Sequence, residues 1–382
     1  MSRKGFSAED ARLMRRALKL AERGVGETNP NPAVGCVLVR DGRVVGEAFH
    51  ARAGSPHAEA RALAASGARA RGATAYVTLE PCAPNRLKRT PPCAPLLIAA
   101  GIRRVVFGVR DRNPNVRGQG ARLLRSAGIV VVQGVCASEA GRLTQHFNAA
   151  MKSGRPFVTL KAGMTLDGRI ATAAGESRWI TSVAQRRAAR FMRRLFDGVL
   201  VGIGTVLADN PVLLPRPRTR RPFVRVVLDS RLRLPLGSNL VETAGRNPLM
   251  VVCARAAPVR KQALEDRGVI VIEAGKAGGR VLLPRALRAL FARGLTSLMV
   301  EGGSEVLGAF VRAGLFDEFV VFRAPMVLGG RSSRAAVGGE DPASLKEAVR
   351  LRRANPAISA TLRYGVVART GVDVEVYEKV RP

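Results

Sequence analysis

The sequence predicts an α/β protein of two consecutive domains, and three observations carry that expectation. At 382 residues the chain is longer than one hydrophobic core usually serves. Short apolar, strand-like runs alternate with helix-periodic ones, the pattern of sheets layered with helices. A polar Gly/Pro bridge, Met151-Lys152-Ser153-Gly154-Arg155-Pro156, interrupts that alternation, so residues 1–150 and 151–382 are expected to fold separately.

Within the first half, Ser7 is placed as the N-cap of a helix whose Ala11, Leu13, Met14, Ala17, Leu18 and Ala21 share one side, with Gly24 just past its end. Val34–Val39 and Arg43–Phe49 flank Asp41-Gly42, a hairpin turn. Pro56 to Leu63 reads as the first turns of a helix with Pro56 at its entrance, where a missing N–H costs nothing. A strand over Ala73–Leu79, a helix from Cys93 to Ala100, a strand over Arg103–Val109, a helix near Ala121–Ser126 and a strand over Ile129–Val132 complete the layer pattern. The second half is expected to place strands at Phe157–Ala162, Phe196–Val201, Phe223–Leu228, Leu249–Cys253, Val269–Ile272, Ser297–Val300 and Phe319–Ala324. Two glycine turns there, Val201-Gly202-Ile203-Gly204-Thr205 and Glu301-Gly302-Gly303-Ser304, each follow a strand and precede a helix. Singly such a turn is weak; together they suggest a pyrophosphate seat.

Sixty-three Lys+Arg against 29 Asp+Glu give a formal net charge of +34. Clustered cations gain affinity for polyanions by releasing counterions, yet these are mostly arginines spread along the chain, densest at Arg216-Pro217-Arg218-Thr219-Arg220-Arg221. Aromatic residues are only 4%, too few for base-stacking platforms. The balance favours phosphorylated small molecules over nucleic acid as partners. No apolar run nears the roughly 20 residues of a bilayer span, and Met1 to Phe6 leads into a charged helix rather than a signal-peptide core. A cytoplasmic location without membrane contact is expected.

The chemistry concentrates in His57-Ala58-Glu59, Pro81-Cys82 and Pro91-Pro92-Cys93. One imidazole and two thiolates suit zinc in a tetrahedron whose fourth place holds water. Two positions along a helix are about 200° apart, so Glu59 cannot share the metal with His57 mid-helix but can flank a water at a helix end as the proton shuttle. His-x-Glu alone reads equally well as a surface pair, and the two Pro-Cys turns downstream make it a metal set. That order resembles the zinc nucleoside-deaminase signature. The remaining cysteines, Cys36, Cys136 and Cys253, sit in apolar strand-like stretches as small hydrophobes, and no disulfide is implied.

A wider resemblance covers almost the whole chain. Thr28 to Cys36, His57-Ala58-Glu59, Thr78-Leu79-Glu80-Pro81-Cys82 and Thr90-Pro91-Pro92-Cys93 look like the deaminase half of bifunctional riboflavin-biosynthesis enzymes. Gly154 to Lys161, Leu166 to Ala171, Gly175 to Thr181, the Gly202 to Pro211 turn and Val300-Glu301-Gly302-Gly303 look like their reductase half. The resemblance implies a cytidine-deaminase-like three-layer domain followed by a dihydrofolate-reductase-like α/β domain. It implies Zn2+ and NADPH as cofactors, a phosphorylated pyrimidine ribose as substrate, and a homo-oligomer. It makes Glu59 catalytic and His57, Cys82 and Cys93 the metal ligands. By similarity Gly163, Trp179, Thr205, Asp209, Ser230 and Gly303 line the cofactor, while Ser177, Arg193, Leu213, Arg216 and Glu301 hold the substrate. Asn31, His50 and the backbone near Cys82 are placed around the ring, although His50 serves equally as a satisfied strand-end histidine. Arg193 and Arg216 have independent appeal as guanidinium forks for a phosphate, against the background that most arginines in so basic a chain are solvated. Trp179 reads as core or as a site wall.

One segment departs from the family. Pro84 stands two positions after Cys82, where the pattern has a histidine, and the loop Ala83 to Arg89 is two residues longer than expected. Arg86, Lys88 and Arg89 are candidates to hold the ribose phosphate instead. Besides the bifunctional enzyme, three alternatives remain: a specialised paralogue acting on a related pyrimidine, a reductase with an inactive deaminase domain, and a nucleic-acid deaminase.

Overall fold

Asp41 and Gly42 take φ of 50° and 72°, the paired positive angles of a type I′ turn, whose twist suits a hairpin. They join β1 (Gly35–Arg40) to β2 (Arg43–Phe49). The computed structural model describes residues 5–84, 91–354, 372 and 374–380 and separates into two units, Met1–Ser153 and Gly154–Pro382.

The first unit is built on a five-stranded sheet in the order β2-β1-β3-β4-β5, with β3 (Thr74–Leu79), β4 (Arg104–Val109) and β5 (Val130–Gln133) mutually parallel and β1 antiparallel to both its neighbours. Side chains alternate between faces with a period of two. Cys36, Leu38, Ala75, Val77, Val105 and Phe107 pack with α2 (Ala58–Ser66), α3 (Cys93–Ala99) and α4 (Gln119–Ser126). Val37, Val39, Tyr76 and Val106 pack with α1 (Ala8–Glu22) and α5 (Ala137–Leu143). Three layers result. Gly35 is where α1 approaches most closely, because a β-carbon there would lie 2.0 Å from the Ala17 carbonyl oxygen.

Three local expectations need correcting. Helix α2 begins at Ala58 with His57 as its N-cap at φ −65°, ψ 167°, so Pro56 stands outside the helix and the candidate metal-ligand histidine occupies the extended position at its mouth. Cys136 is not in a strand; it is the left-handed N-cap of α5. Met151, Lys152 and Ser153 do not form a bridge but complete α6 (Gln145–Ser153), after which Gly154 turns the chain at φ 64°.

The second unit contains a nine-stranded sheet, order β11-β10-β9-β8-β14-β6-β15-β18-β17. Its parallel strands are β6 (Phe157–Met164), β8 (Gly198–Gly202), β9 (Val224–Leu228), β10 (Leu249–Cys253), β11 (Ile270–Glu273), β14 (Ser297–Val300) and β15 (Glu318–Arg323). Two strands added antiparallel, β17 (Leu351–Arg353) and β18 (Glu375–Lys379), close one edge. Short pairs are made by β7 (Arg169–Ala171) with β16 (Arg334–Ala335) and by β12 (Lys276–Ala277) with β13 (Arg280–Val281). The helices are α7 (Val183–Met192), α8 (Ile203–Asp209), α9 (Asn239–Glu242), α10 (Pro258–Glu265), α11 (Leu283–Ala292) and α12 (Ser304–Arg312). Core residues divide between the sheet's two faces, one cluster holding Leu200, Val226, Val252, Leu298 and Val300 and the other Val199, Val201, Val227 and Val251. No helix among the described residues is long and apolar enough to cross a membrane.

Polar groups also fix the first unit. Asp10 accepts the Ser7 amide within a capping box, two nitrogens of Arg104 at 2.7 and 3.0 Å, and the Tyr76 hydroxyl at 3.0 Å. Burial alone would raise its pKa, but the Arg104 guanidinium, the Ser7 amide and Tyr76 hold it well below the usual carboxylate range. Because the folded-state value is depressed, the linked stability is present above about pH 4 and is lost as pH falls through the folded value. Asp10→Asn is expected to lower the opening free energy of β3 by about 3 kcal/mol at pH 7, measured by amide hydrogen exchange, and by progressively less below about pH 4. A difference that stayed constant with pH would contradict the ion pair as the cause.

Candidate functional site

His57, Cys82 and Cys93 meet at the α2, α3 face of the first sheet. The carboxyl end of β3 leads through Pro81 to Cys82, Cys93 is the first residue of α3, and His57 N-caps α2. The Nδ1 of His57 lies 3.3 Å from the Cys93 Sγ and 3.7 Å from the Cys82 Sγ, and all three donor atoms fall within 4.8 Å of one another. An ion bound tetrahedrally at about 2.0–2.3 Å requires ligand–ligand edges of roughly 3.5–3.8 Å. Two thiols and an imidazole at these separations fit zinc in donor type and in spacing.

Glu59 sits in the first turn of α2, 4% exposed. Its carboxyl pKa is raised, first by burial and then by Cys82. His50 follows β2 and is 2% exposed. Its ring stands edge-on to His57 at 5.2 Å between centroids, and its Nδ1 is 3.3 Å from the Pro56 oxygen. Its Nε2 is buried with no hydrogen-bond partner among the described residues, so one of the two ring nitrogens is left without a protein partner there. Burial, with the neighbouring His57, lowers its pKa to about 4. Asn31 is exposed ahead of β1, its amide bonded to the Thr28 oxygen at 2.9 Å. Ala83 is buried and Pro84 exposed, while Arg86, Lys88 and Arg89 lie outside the described residues.

Sequence reasoning passed over Glu80. Its buried carboxylate accepts the amides of Asp111 at 3.3 Å, Gly118 at 3.1 Å and Ala121 at 3.0 Å. The end of β3, two residues from a metal ligand, is thereby tied to the start of α4, where a carboxylate meets unpaired helix N–H groups. The residue was visible inside the Thr78 to Cys82 run, but its partners lie 31 to 41 positions away.

In the second unit the two glycine turns come together. Gly202 and Gly303 are the N-caps of α8 and α12, and neither offers a side-chain cap. A β-carbon on Gly302 would stand 3.3 Å from the Gly202 nitrogen, and one on Gly303 would stand 3.8 Å from the Thr205 Oγ1. Thr205 and Asp209 share α8. Asp209 pairs with Arg178 at 3.0 Å, beside Trp179. Trp179 is 64% exposed, with Arg186 4.1 Å over its ring, which removes the core reading. Ser230 lies two residues beyond Leu228, the register partner of Gly202. Two uncapped helix starts side by side are a donor set suited to a pyrophosphate.

Arg193 and Glu301, both expected to hold substrate, hold each other. The Nε and Nη2 of Arg193 reach the two carboxylate oxygens at 2.6 and 3.1 Å, and Nη1 donates to the Leu214 oxygen at 3.0 Å. Burial would raise the Glu301 pKa, but Arg193 and then Lys161 bring it below its usual value. Lys161, a residue missed as a site candidate, has its amine pKa lowered by burial, and its Nζ would stand 3.8 Å from a β-carbon on Gly163. Leu213 is buried at φ 56°, and the Arg216 amide bonds to the Arg190 oxygen at 3.2 Å. Ser177 is exposed between β7 and α7.

Two family models match, in chain order: the cytidine and deoxycytidylate deaminase zinc-binding region over residues 7–109 and the RibD C-terminal domain over residues 156–357. Riboflavin biosynthesis protein RibD of Bacillus amyloliquefaciens is 42% identical over 341 residues, covering 89% of this chain and 91% of the relative. RibD of Escherichia coli K12 is 42% identical over 84% of this chain and 89% of its own length. Among solved structures, Acinetobacter baumannii RibD form 1 superposes with a TM-score of 0.83 at 35% identity, covering 98% of this chain and 99% of that one. The diaminohydroxyphosphoribosylaminopyrimidine deaminase/5-amino-6-(5-phosphoribosylamino)uracil reductase of Thermotoga maritima does so with a TM-score of 0.79 at 33% identity, covering 97% and 99%. With relatives aligned across a metal triangle, a glycine cradle and nearly the full length of both chains, this chain belongs to the riboflavin biosynthesis protein RibD family of bifunctional deaminase–reductases.

Proposed function

We propose that the first unit hydrolyses the ring amino group of 2,5-diamino-6-(5-phosphoribosylamino)pyrimidin-4-one, and that the second reduces the ribosyl group of the product to ribityl with NADPH. The observation that carries this reading is the triangle of His57, Cys82 and Cys93 beside buried Glu59, in a chain whose second half matches the RibD reductase domain.

Zinc, when bound by the triangle, makes water a nucleophile near neutral pH. Glu59 takes one proton from the water and delivers it to the ring nitrogen, then takes the remaining hydroxyl proton and delivers it to the departing amine, so that water enters and ammonia leaves. The burial that raises its pKa suits a carboxyl that must both accept and give a proton. His50, neutral with a free Nε2, orients the ring by a hydrogen bond, and Asn31 and the backbone after Cys82 complete the ring pocket.

NADPH, when bound, supplies the hydride for the reduction. The starts of α8 and α12 hold its pyrophosphate, and Gly163, Trp179, Thr205, Asp209, Ser230 and Gly303 line its length. Arg193 and Arg216 hold the substrate phosphate, Glu301 and Ser177 the sugar, and Leu213 the wall between. Lys161, whose lowered pKa makes it a ready proton donor, protonates the sugar oxygen as the ring opens. A second reading, a paralogue taking a modified pyrimidine, rests on Pro84 in place of the family histidine.

Glu59→Gln is expected to cut ammonia release about 10²- to 10⁴-fold while NADPH oxidation on the deaminated substrate continues. Ammonia release at the wild-type rate would remove Glu59 from the mechanism. Arg193→Ala is expected to lower reductase kcat/KM by about tenfold to a hundredfold and leave ammonia release intact, measured with the two products followed separately. Removal of metal by chelation should abolish ammonia release alone; loss of both activities would contradict the division of labour. The second reading is preferred if a modified diaminopyrimidine phosphate is deaminated with a higher kcat/KM than the parent compound.

A further inference from the structure

Gly202 ends β8, and Ser230 and Gly303 follow the carboxyl ends of β9 and β14. At the opposite edge, the segments leading into β9 and β10 enclose a recess of about 470 Å3 walled by residues 214–215, 218–223 and 244–248. Four arginines line it, Arg218, Arg220, Arg221 and Arg246, and no carboxylate does. Arg221 is committed to the fold, donating to the Arg194 and Phe196 oxygens and lying 3.8 Å from Asp197. Arg218, Arg220 and Arg246 are exposed, and no carboxylate among the described residues pairs with them.

Beneath the wall lies a second cation. Arg225, the bulkiest fully buried side chain among the described residues, is 0% exposed. Its guanidinium donates to the Thr243 hydroxyl at 2.7 Å and to the carbonyls of Thr243 and Asn247, and its Nε has no partner among the described residues. Its acceptors are all neutral. A buried cation is normally paired, because desolvating it is expensive. Here the charge is held directly under the 243–247 segment that forms one side of the recess, adding to the field of the three exposed arginines above.

Most arginines in a chain of net charge +34 are simply solvated. This group differs in being concave, in having no carboxylate in its lining and only Asp197 beside Arg221, and in being backed by an uncompensated buried cation. We propose that the recess is an anion site distinct from the catalytic residues, taking the phosphate or diphosphate group of a small organic phosphate of about mononucleotide size. Guanidinium forks match phosphate oxygens two at a time. The volume is larger than one phosphate needs and falls within the range of small-molecule sites. Leu214, Pro215, Pro222 and Pro248 supply an apolar wall for the organic portion. Phe223 is only 4% exposed, so the recess offers no stacking platform of the kind that single-stranded nucleic acid uses.

The test is calorimetric titration of the zinc- and NADPH-loaded enzyme with AMP and with inorganic pyrophosphate, using wild type, Arg218→Ala/Arg220→Ala, Arg246→Ala and Arg193→Ala. Binding of one or both probes should weaken about tenfold or more in the recess variants and persist in Arg193→Ala. AMP binding more tightly than pyrophosphate identifies an organic phosphate; pyrophosphate binding more tightly overturns the organic half of the proposal. Equal affinities in wild type and the recess variants, or weakening only in Arg193→Ala, would overturn the site. RNA binding lost in the recess variants, with neither small probe binding, would overturn the ligand class.

Discussion

The three amide hydrogen bonds that Glu80 accepts in the interior set where everything around the metal triangle can stand. A carboxylate this buried survives because backbone N–H groups, and the start of a helix, replace its lost water. In doing so it locks the carboxyl end of β3 to the loop after β4 and to α4. Pro81 and Cys82 follow immediately, and the Cys82 Sγ then accepts the Cys93 amide at 3.3 Å, which places the first residue of α3. His57 needs only the mouth of α2, packed through Ala58 and Ala62 against the same sheet face, to complete the set. The site is thus assembled by strand ends and helix starts, the rigid parts of the unit, with the buried Glu80 side chain joining them.

The second unit solves a related electrostatic problem with the opposite sign of excess. Arg193, Lys161 and Glu301 lie together where the carboxyl end of β14 meets the middle of β6 and the end of α7. Two basic side chains meet one carboxyl group there, an excess that the proposed phosphorylated substrate would match. The Arg193–Glu301 pair is the resting form of that arrangement. Glu301 keeps the guanidinium ordered, so that, under the proposed function, part of the entropic cost of holding a phosphate would be met before substrate arrives.

How much of this the sequence disclosed depends on how local each cause is. The Asp41-Gly42 turn and the Ser7 cap are decided within a few residues, and both were legible. So was the clustering of His57, Cys82 and Cys93, because zinc chemistry restricts which side chains can serve. Helices α5 and α6 were missed because they bury only Ala140 and Ala150, respectively, too little to mark an apolar stripe. The edge strands β17 and β18 bury only Val376, and their charged neighbours read as loop. The pairing of Arg193 with Glu301 spans 108 positions, and the Glu80 bonds span up to 41; no periodicity reports contacts of that kind. Arg225 was invisible for a different reason, since a buried unpaired arginine contradicts the rule by which sequences are read.

The central claim is that one imidazole and two thiolates, delivered by β3, α2 and α3, hold zinc with one place left open. Zinc X-ray absorption of the purified enzyme tests it most directly. The account predicts two sulfur scatterers near 2.3 Å and two nitrogen or oxygen scatterers near 2.0–2.1 Å, with one sulfur lost in Cys82→Ser. A shell of four sulfurs, or of oxygen alone, would contradict it.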